Sequence, residues 1–330
     1  MKLRQFIQLP FALVGLAAAL AMPLAAQAQT KLRFAHAGPD TSSQHLAAVE
    51  FAKMVKDRSQ GKLEVQVFPA SQLGNDATVI GAVRGGTIDM MMAGSGNFAG
   101  LNSRLEVLDI PFLFRDRDHA YKAVDQQVGQ ELMKGLEASG LKQLAFWEVG
   151  FRSITTKNRP VRTAADVKGL KIRTQPNPVH VQAWKLLGTN PVPMPLSELY
   201  TALESGAVDA QEHPIEITYS AKFYEVQKHL TMTRHAFTAM PVVLNKAKFD
   251  ALTPDLQKVL LDAALEAKQF QRQLNQKNEA QIIAELRKQG MTVVESFDAA
   301  SFKTQIGDEL RKAYVAKNGP ELLAAVEAIK

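Results

Sequence analysis

The chain has 330 residues, of which 46% are apolar and 22% charged, with a formal net charge of +6 at pH 7 and no cysteine. That length allows two domains of ordinary size, and the apolar share can give each a core without disulfides. The basic excess is mild and dispersed, with no Lys/Arg block, so nucleic acid is not implied; a modest positive balance suits a small anionic ligand.

The first residues read as an export signal. Lys2 and Arg4 form its positive region, Phe11 to Met22 its apolar core, and Ala26-Gln27-Ala28 a small-x-small cleavage site. The apolar core, about 12 residues, falls short of the ~20 that a spanning helix needs. Removal after Ala28 takes away two basic residues and no acid, leaving a mature charge of +4. No cysteine follows the apolar core, so no lipid anchor is expected, and no later segment is long and apolar enough to span a bilayer.

Lys31 to His36 reads as a strand, followed by the polar loop Gly38–Ser43. A helix is expected from about Gln44 to Ser59, closed by Gly61, and Leu63 to Phe68 alternates with the period of a strand. A second helix is expected over Asp76–Arg84 and a buried strand over Ile88–Met92. Strand, helix, strand, helix, strand implies an α/β domain with a mainly parallel sheet, whose ligands sit at the carboxyl ends of strands. That puts Gly38–Ser43 and Gly94–Phe98 on a binding rim. Val83-Arg84-Gly85-Gly86-Thr87-Ile88-Asp89 is echoed by Leu203-Glu204-Ser205-Gly206-Ala207-Val208-Asp209. The echo is read either as a generic helix–turn–strand joint or as the sign of a second, similar lobe. That lobe would hold strands at 144–149, 153–157, 170–174 and 207–211 and helices near 179–187 and 197–205.

The last third changes character. Thr253-Pro254-Asp255 supplies an N-cap, a first-turn proline and a first-turn acid, and no breaker follows until Gly290. The apolar stripe from Leu256 to Leu286 predicts a helix of about 36 residues, roughly 54 Å long. A lobe of ~120 residues is only about 28 Å across, so this helix is expected to span both lobes.

Catalytic signatures are absent: there is no G-x-S-x-G, P-loop or HExxH, and the seven histidines show no metal-ligand spacing. Neither a cofactor nor a metal is implied, and no base and nucleophile can be paired for a secreted enzyme. Three places suit binding instead. Arg152 follows a strand and Gly150, and Arg173 ends another before the turn Thr174-Gln175-Pro176-Asn177-Pro178. A guanidinium offers a planar fork that matches a carboxylate. Asp209-Ala210-Gln211-Glu212-His213-Pro214 places further polar groups at a strand end, with His213 able to donate to an anion or hydroxyl. The competing readings are a salt-bridged structural arginine at each position and a turn-stabilising histidine.

Four segments carry a resemblance over essentially the whole mature chain: Phe68–Asp76, Leu108–Asp116, Asp166–Arg173 and Leu199–Glu212. With them the chain resembles the extracytoplasmic solute-binding subunits of tripartite ATP-independent periplasmic (TRAP) transporters, the DctP-type family. The resemblance implies a periplasmic binding protein-like α/β fold: two lobes around a ligand cleft, joined by crossing strands and the long helix. It places lobe I at 29–150, with about 239–265 returning to it, and lobe II at 151–238, with part of the C-terminal region. The helix takes 253–290 and a C-terminal segment 291–330. It also implies that the ligand closes the lobes and that the closed form delivers it to a membrane permease. With the export signal and no later spanning segment, a periplasmic protein without stable membrane insertion is expected, acting as a monomer.

Arg173 matches the family's carboxylate-binding arginine and Arg152 a second arginine used by many members. His213 falls where many relatives carry Asn. Asp76 matches an acidic position on the cleft side of lobe I, and Ser95 and Asn97 lie in the matching loop. As expected ligand contacts, Arg173 grips a carboxylate bidentately and Arg152 adds a second grip. Asp76, Asn97, Gln175, Asn177 and His213 read hydroxyls, with Ser95, Ser43 and Gln72 on the rim. Trp147 or Phe151 is a candidate to cover an apolar face, core packing being the better reading of Trp147. So many polar groups favour a sugar acid, a uronate or aldonate, over a C4-dicarboxylate or a 2-keto acid. A chemosensory binding subunit would share the same cleft.

Overall fold

The computed structural model describes residues 29–330, so the expected export signal lies outside the described residues. The chain opens with β1 (Thr30–Ala35), α1 (Ser43–Arg58), β2 (Leu63–Phe68), α2 (Asp76–Arg84) and β3 (Met90–Met92). Ser42 caps α1 by accepting from His45 N, and Asn75 caps α2 by accepting from Thr78 N. Two 3₁₀ turns, Ser95–Phe98 and Ser103–Asp109, lead to α3 (Arg117–Asp125) and α4 (Gln127–Glu137).

Two long strands then organise the molecule: β4 (Leu141–Thr156) and β8 (His229–Asn245), antiparallel over most of their length. Between them lie β5 (Lys171–Thr174), α5 (Pro178–Leu186), β6 (Asn190–Pro193), α6 (Leu196–Glu204), β7 (Ala210–Pro214) and α7 (Ile215–Ser220). After β8 come α8 (Lys246–Asp250), α9 (Pro254–Lys288), β9 (Thr292–Val294), α10 (Ala299–Ile306), α11 (Glu309–Asn318) and α12 (Glu321–Glu327).

The sheet runs β2-β1-β3-β8-β4-β7-β5-β6, with β9 added at the start of β8. The order is built alike from both ends. β1 lies parallel between β2 and β3, and β5 lies parallel between β6 and β7. β3 meets β8 antiparallel, as β7 meets β4. Two α/β lobes therefore share one sheet, with β4 and β8 passing through both. The echoed heptads are the same joint in each lobe: Gly86 and Gly206 both take φ +75 after a helix. Asp89 and Asp209 then accept from the backbone N–H of Arg33 and Lys171 on the neighbouring strand.

The strands expected at 144–149 and 153–157 are one strand. Gly150, at φ +117, sits in an irregularity of the β4–β8 register between Glu148 and Gly150. It bends the strand instead of ending it. The strand expected at 207–211 begins only at Ala210, because the turn after Gly206 uses more residues than the β-branched Val208 signalled.

Helix α9 is one unbroken element of 35 residues. Its first half buries Leu260, Ala263, Ala264 and Ala267 against Ala47, Ala48, Phe51 and Val55 of α1. Its last turns bury Ile282 and Leu286 with Leu230 and Met232 of β8 and Ile215 of α7. Small residues on both sides let α1 and α9 approach closely. The C-terminal helices strap the other face, α10 against α5 and α12 against α4. Among the described residues no helix is long and apolar enough to cross a membrane.

Candidate functional site

A cavity of about 180 Å³ opens where the two lobes meet. Lobe I contributes Gly38 and Gln44 beyond β1, Asn75 and Asp76 at the start of α2, and Gly94 and Asn97 beyond β3. Lobe II contributes Arg173 on β5, Gln175 just beyond it, His213 on β7 and Arg152 on β4. Met92, Met240, Val149 and Ile217 form apolar walls. Parallel strands in each lobe thus end at the cavity, as open α/β sheets bind ligands.

The two arginines differ sharply. Arg152 is 1% exposed and its Nε and Nη2 donate to the carboxylate of Glu212, itself 0% exposed. Its Nη1 donates to Thr238 Oγ1 at 3.2 Å. Burial alone would raise Glu212, but Arg152 and His235 outweigh it and hold Glu212 well below the usual carboxylate range. Arg152 is therefore charge-matched by Glu212, and of its five N–H groups only one, on Nη1, is left to face the cavity that it lines. A neighbouring strand supplies the acid, one residue before His213.

Arg173 is 2% exposed, and among the described residues no carboxylate lies within 4.0 Å of it. Its Nε and Nη2 donate to Met194 O at 3.0 and 2.7 Å, and its Nη1 faces His213 Nε2 at 3.2 Å. Three of the five guanidinium N–H groups are thereby used, leaving two, one on each Nη. Burial, with the Arg152 charge added, lowers Arg173 to about 9, so it is still a cation at neutral pH. A desolvated cation without a counter-ion is costly, and an incoming carboxylate relieves that cost.

Around Arg173 stand groups able to read hydroxyls. Asp76 accepts from Asn97 Nδ2 at 3.3 Å, and burial, opposed by Arg173, pushes its pKa to about 6. Gln175 is buried and its Nε2 has no protein partner. His213 lines the cavity too, with its Nδ1 facing Gln211 Oε1 at 2.5 Å and its Nε2 facing the donor-only guanidinium of Arg173 at 3.2 Å, so the imidazole braces Arg173. Burial, then Arg152 and Arg173, lowers His213 well below the usual histidine range, so it is neutral.

Four expected contacts lie off the cavity. Ser95 is buried with its hydroxyl 3.4 Å from Asp109. Asn177 caps α5, its Oδ1 accepting from Val179 N and His180 N. Gln72 is exposed on the loop after β2. Ser43 donates its backbone N–H to Glu216 Oε1 of lobe II at 2.9 Å and lines a separate cavity. Trp147 is a core residue, packed edge-on against Phe34 and Phe51 with its Nε1 donating to Ala264 O. Phe151 packs on Phe237. Unforeseen contributors are Glu212, Thr238, Gln44 and the Met194 carbonyl. The polar run Gln211-Glu212-His213 inside a buried strand was the available signal, since each such group needs a partner.

Residues 34–317 match the model of DctP, the bacterial extracellular solute-binding protein family 7. The chain belongs to this family. Members bind solutes, and the family is one of binding proteins, not of enzymes. The chain is 46% identical to the 2,3-diketo-L-gulonate-binding periplasmic protein YiaO of Escherichia coli K12, with 100% of both chains covered. A TRAP periplasmic solute-binding protein from Polaromonas sp. JS666, bound to D-erythronate, superposes with a TM-score of 0.89 at 38% identity, covering 92% of this chain and 99% of that one. The sugar acid binding protein DctPAm of Advenella mimigardefordensis, in complex with galactonate, gives 0.87 at 32% identity, covering 91% and 97%. The two-lobe fold around a ligand cleft is thus that of the TRAP solute-binding proteins.

Proposed function

We propose that the protein captures a sugar-derived monocarboxylate in the periplasm and presents it, as a monomer freed of its first 28 residues, to a TRAP membrane permease. Arg173 holds the carboxylate through its two remaining N–H groups. Asp76, Asn97 and Gln175 read hydroxyl or keto oxygens. The names of the three relatives above make sugar acids the first class to test, with 2,3-diketo-L-gulonate as the first ligand.

One observation carries the reading: Arg173 is the one cationic group on the cavity wall without a carboxylate partner among the described residues. One unmatched cation accommodates one carboxylate. A dicarboxylate would bring a second charge to a wall whose other ionisable groups are Asp76, His213 and the already paired Arg152. Two charge-assisted bonds at about 1.5–3 kcal/mol each supply much of the roughly −8 kcal/mol of a micromolar complex.

A thermal-shift screen of the refolded mature protein tests this, with 2,3-diketo-L-gulonate, galactonate, erythronate, galacturonate, succinate and 2-ketobutyrate. A ligand at 100 times its Kd adds about 2.7 kcal/mol of stability. Shifts are expected with sugar acids. A shift with succinate alone overturns the ligand class, and no shift with any acid overturns capture by Arg173.

A further inference from the structure

Behind Arg173 runs a buried file of polar side chains in which each donor points the same way. Arg173 Nη1 lies 3.2 Å from His213 Nε2, and His213 Nδ1 lies 2.5 Å from Gln211 Oε1. Gln211 Nε2 donates to Thr155 Oγ1 at 2.8 Å, and Thr155 donates to Gln227 Oε1 at 3.2 Å. Gln227 Nε2 ends the file on Val226 O at 3.2 Å. The side chains come from β5, β7, β4 and the turn before β8, all in lobe II, and Arg173, His213, Gln211, Thr155 and Gln227 are all buried.

The directions follow from chemistry. A guanidinium has no acceptor, so His213 Nε2 must be bare where it meets Arg173. The imidazole proton then sits on Nδ1, and only the carbonyl end of Gln211 can receive it. Gln211 in turn is held amide-first against Thr155. Hydrogen bonds aligned head to tail polarise one another, which makes Nε2 a better acceptor.

We propose that Gln211 is a positioning residue, fixing the Nδ1–H tautomer of His213 so that the bare Nε2 aims the Arg173 guanidinium into the cavity. The ligand-binding part of this statement rests on the function proposed above; the tautomer does not. In this arrangement His213 and Gln211 act as one unit. An imidazole with its proton on Nε2 would set a donor against a donor and turn Arg173 away from the fork geometry that a carboxylate needs.

The test uses the full mature chain labelled with ¹⁵N-histidine, the His213 signals being assigned with His213→Gln. Two-bond ¹H–¹⁵N spectra without ligand report the tautomer. Wild type is expected to show Nδ1–H. Gln211→Leu is expected to lose that preference and to bind 2,3-diketo-L-gulonate about tenfold more weakly. Gln211→Glu keeps an acceptor and is expected to restore the Nδ1–H signal. An Nε2–H or doubly protonated His213 in wild type overturns the proposal, and this arm stands even if Gln211→Leu does not fold. Affinity unchanged in a Gln211→Leu protein whose tautomer has switched also overturns it. If wild type binds none of the acids of the screen, the function fails while the tautomer measurement still decides the file.

Discussion

Arg152, on the cavity wall, and Glu212, on the neighbouring strand, neutralise one another, both almost fully buried. That pairing separates the two arginines that the sequence presents as equals. It leaves the binding charge to Arg173. Removing either arginine should therefore give opposite phenotypes. Arg152→Ala leaves the Glu212 carboxylate buried and unpaired, a loss of about 3–5 kcal/mol in stability. Denaturant unfolding checks this, and a loss below about 1 kcal/mol would mean that the pair is not what holds the two strands. The double variant Arg152→Met with Glu212→Leu should recover much of that loss, since no charge remains buried.

The lobes touch where lobe I has no side chain. A Cβ on Gly96 would run into the side chain of Asn177, and one on Gly94 would stand 3.0 Å from Thr238 Cγ2. Gly96→Ala should hold the lobes apart. Overpacking of about 1–3 kcal/mol corresponds to roughly 5–150-fold in affinity. Small-angle scattering with saturating ligand should show a larger radius of gyration than wild type. Wild-type affinity and radius would mean that closure does not bring these loops together.

Glu216 joins the lobes on the other side of the cavity through Ser43 N. Burial raises it to about 7, against the lowering effect of that hydrogen bond. A folded-state pKa above the unfolded one means that the native state binds more protons between about pH 4 and 7. The Glu216 contribution to stability is then present at low pH and lost as pH rises through about 7. Glu216→Gln keeps an acceptor for Ser43 N and removes the titration. The melting temperature of the variant relative to wild type should therefore rise from pH 5 to pH 8. A difference that stays constant with pH would contradict the shifted carboxyl.

Much of lobe I was legible because each element carried its own local signal. Leu63–Phe68 alternates, Asn75 and Asp76 open a helix, and Gly61 and Gly86 close the two before them. The crossing strands were not legible locally. Gly150 looks like a break in β4, and Pro241 in the middle of β8 argues against a strand. Both are accommodated only because the partner strand is already in place: Gly150 beside a register shift, and Pro241 opposite Phe146. At the site, residue type and strand-end position drew out Arg173, Arg152 and His213, and the family resemblance added Asp76 and Asn97; these five and Gln175, in the turn after Arg173, line the cavity. What one chain position cannot carry is its partner. Glu212 takes Arg152, and Asp109 and the first turn of α5 take Ser95 and Asn177. These pairings arise from strands and turns far apart in sequence, so they belong to the tertiary structure.

The most direct measurement of the central claim is isothermal titration of 2,3-diketo-L-gulonate into wild type and Arg173→Met. One saturable site is expected in wild type. In the variant, loss of two charge-assisted bonds should weaken it by about a hundredfold or more, with melting temperature unchanged or higher because a buried unpaired cation has gone. Affinity in Arg173→Met within threefold of wild type would contradict carboxylate capture by this residue.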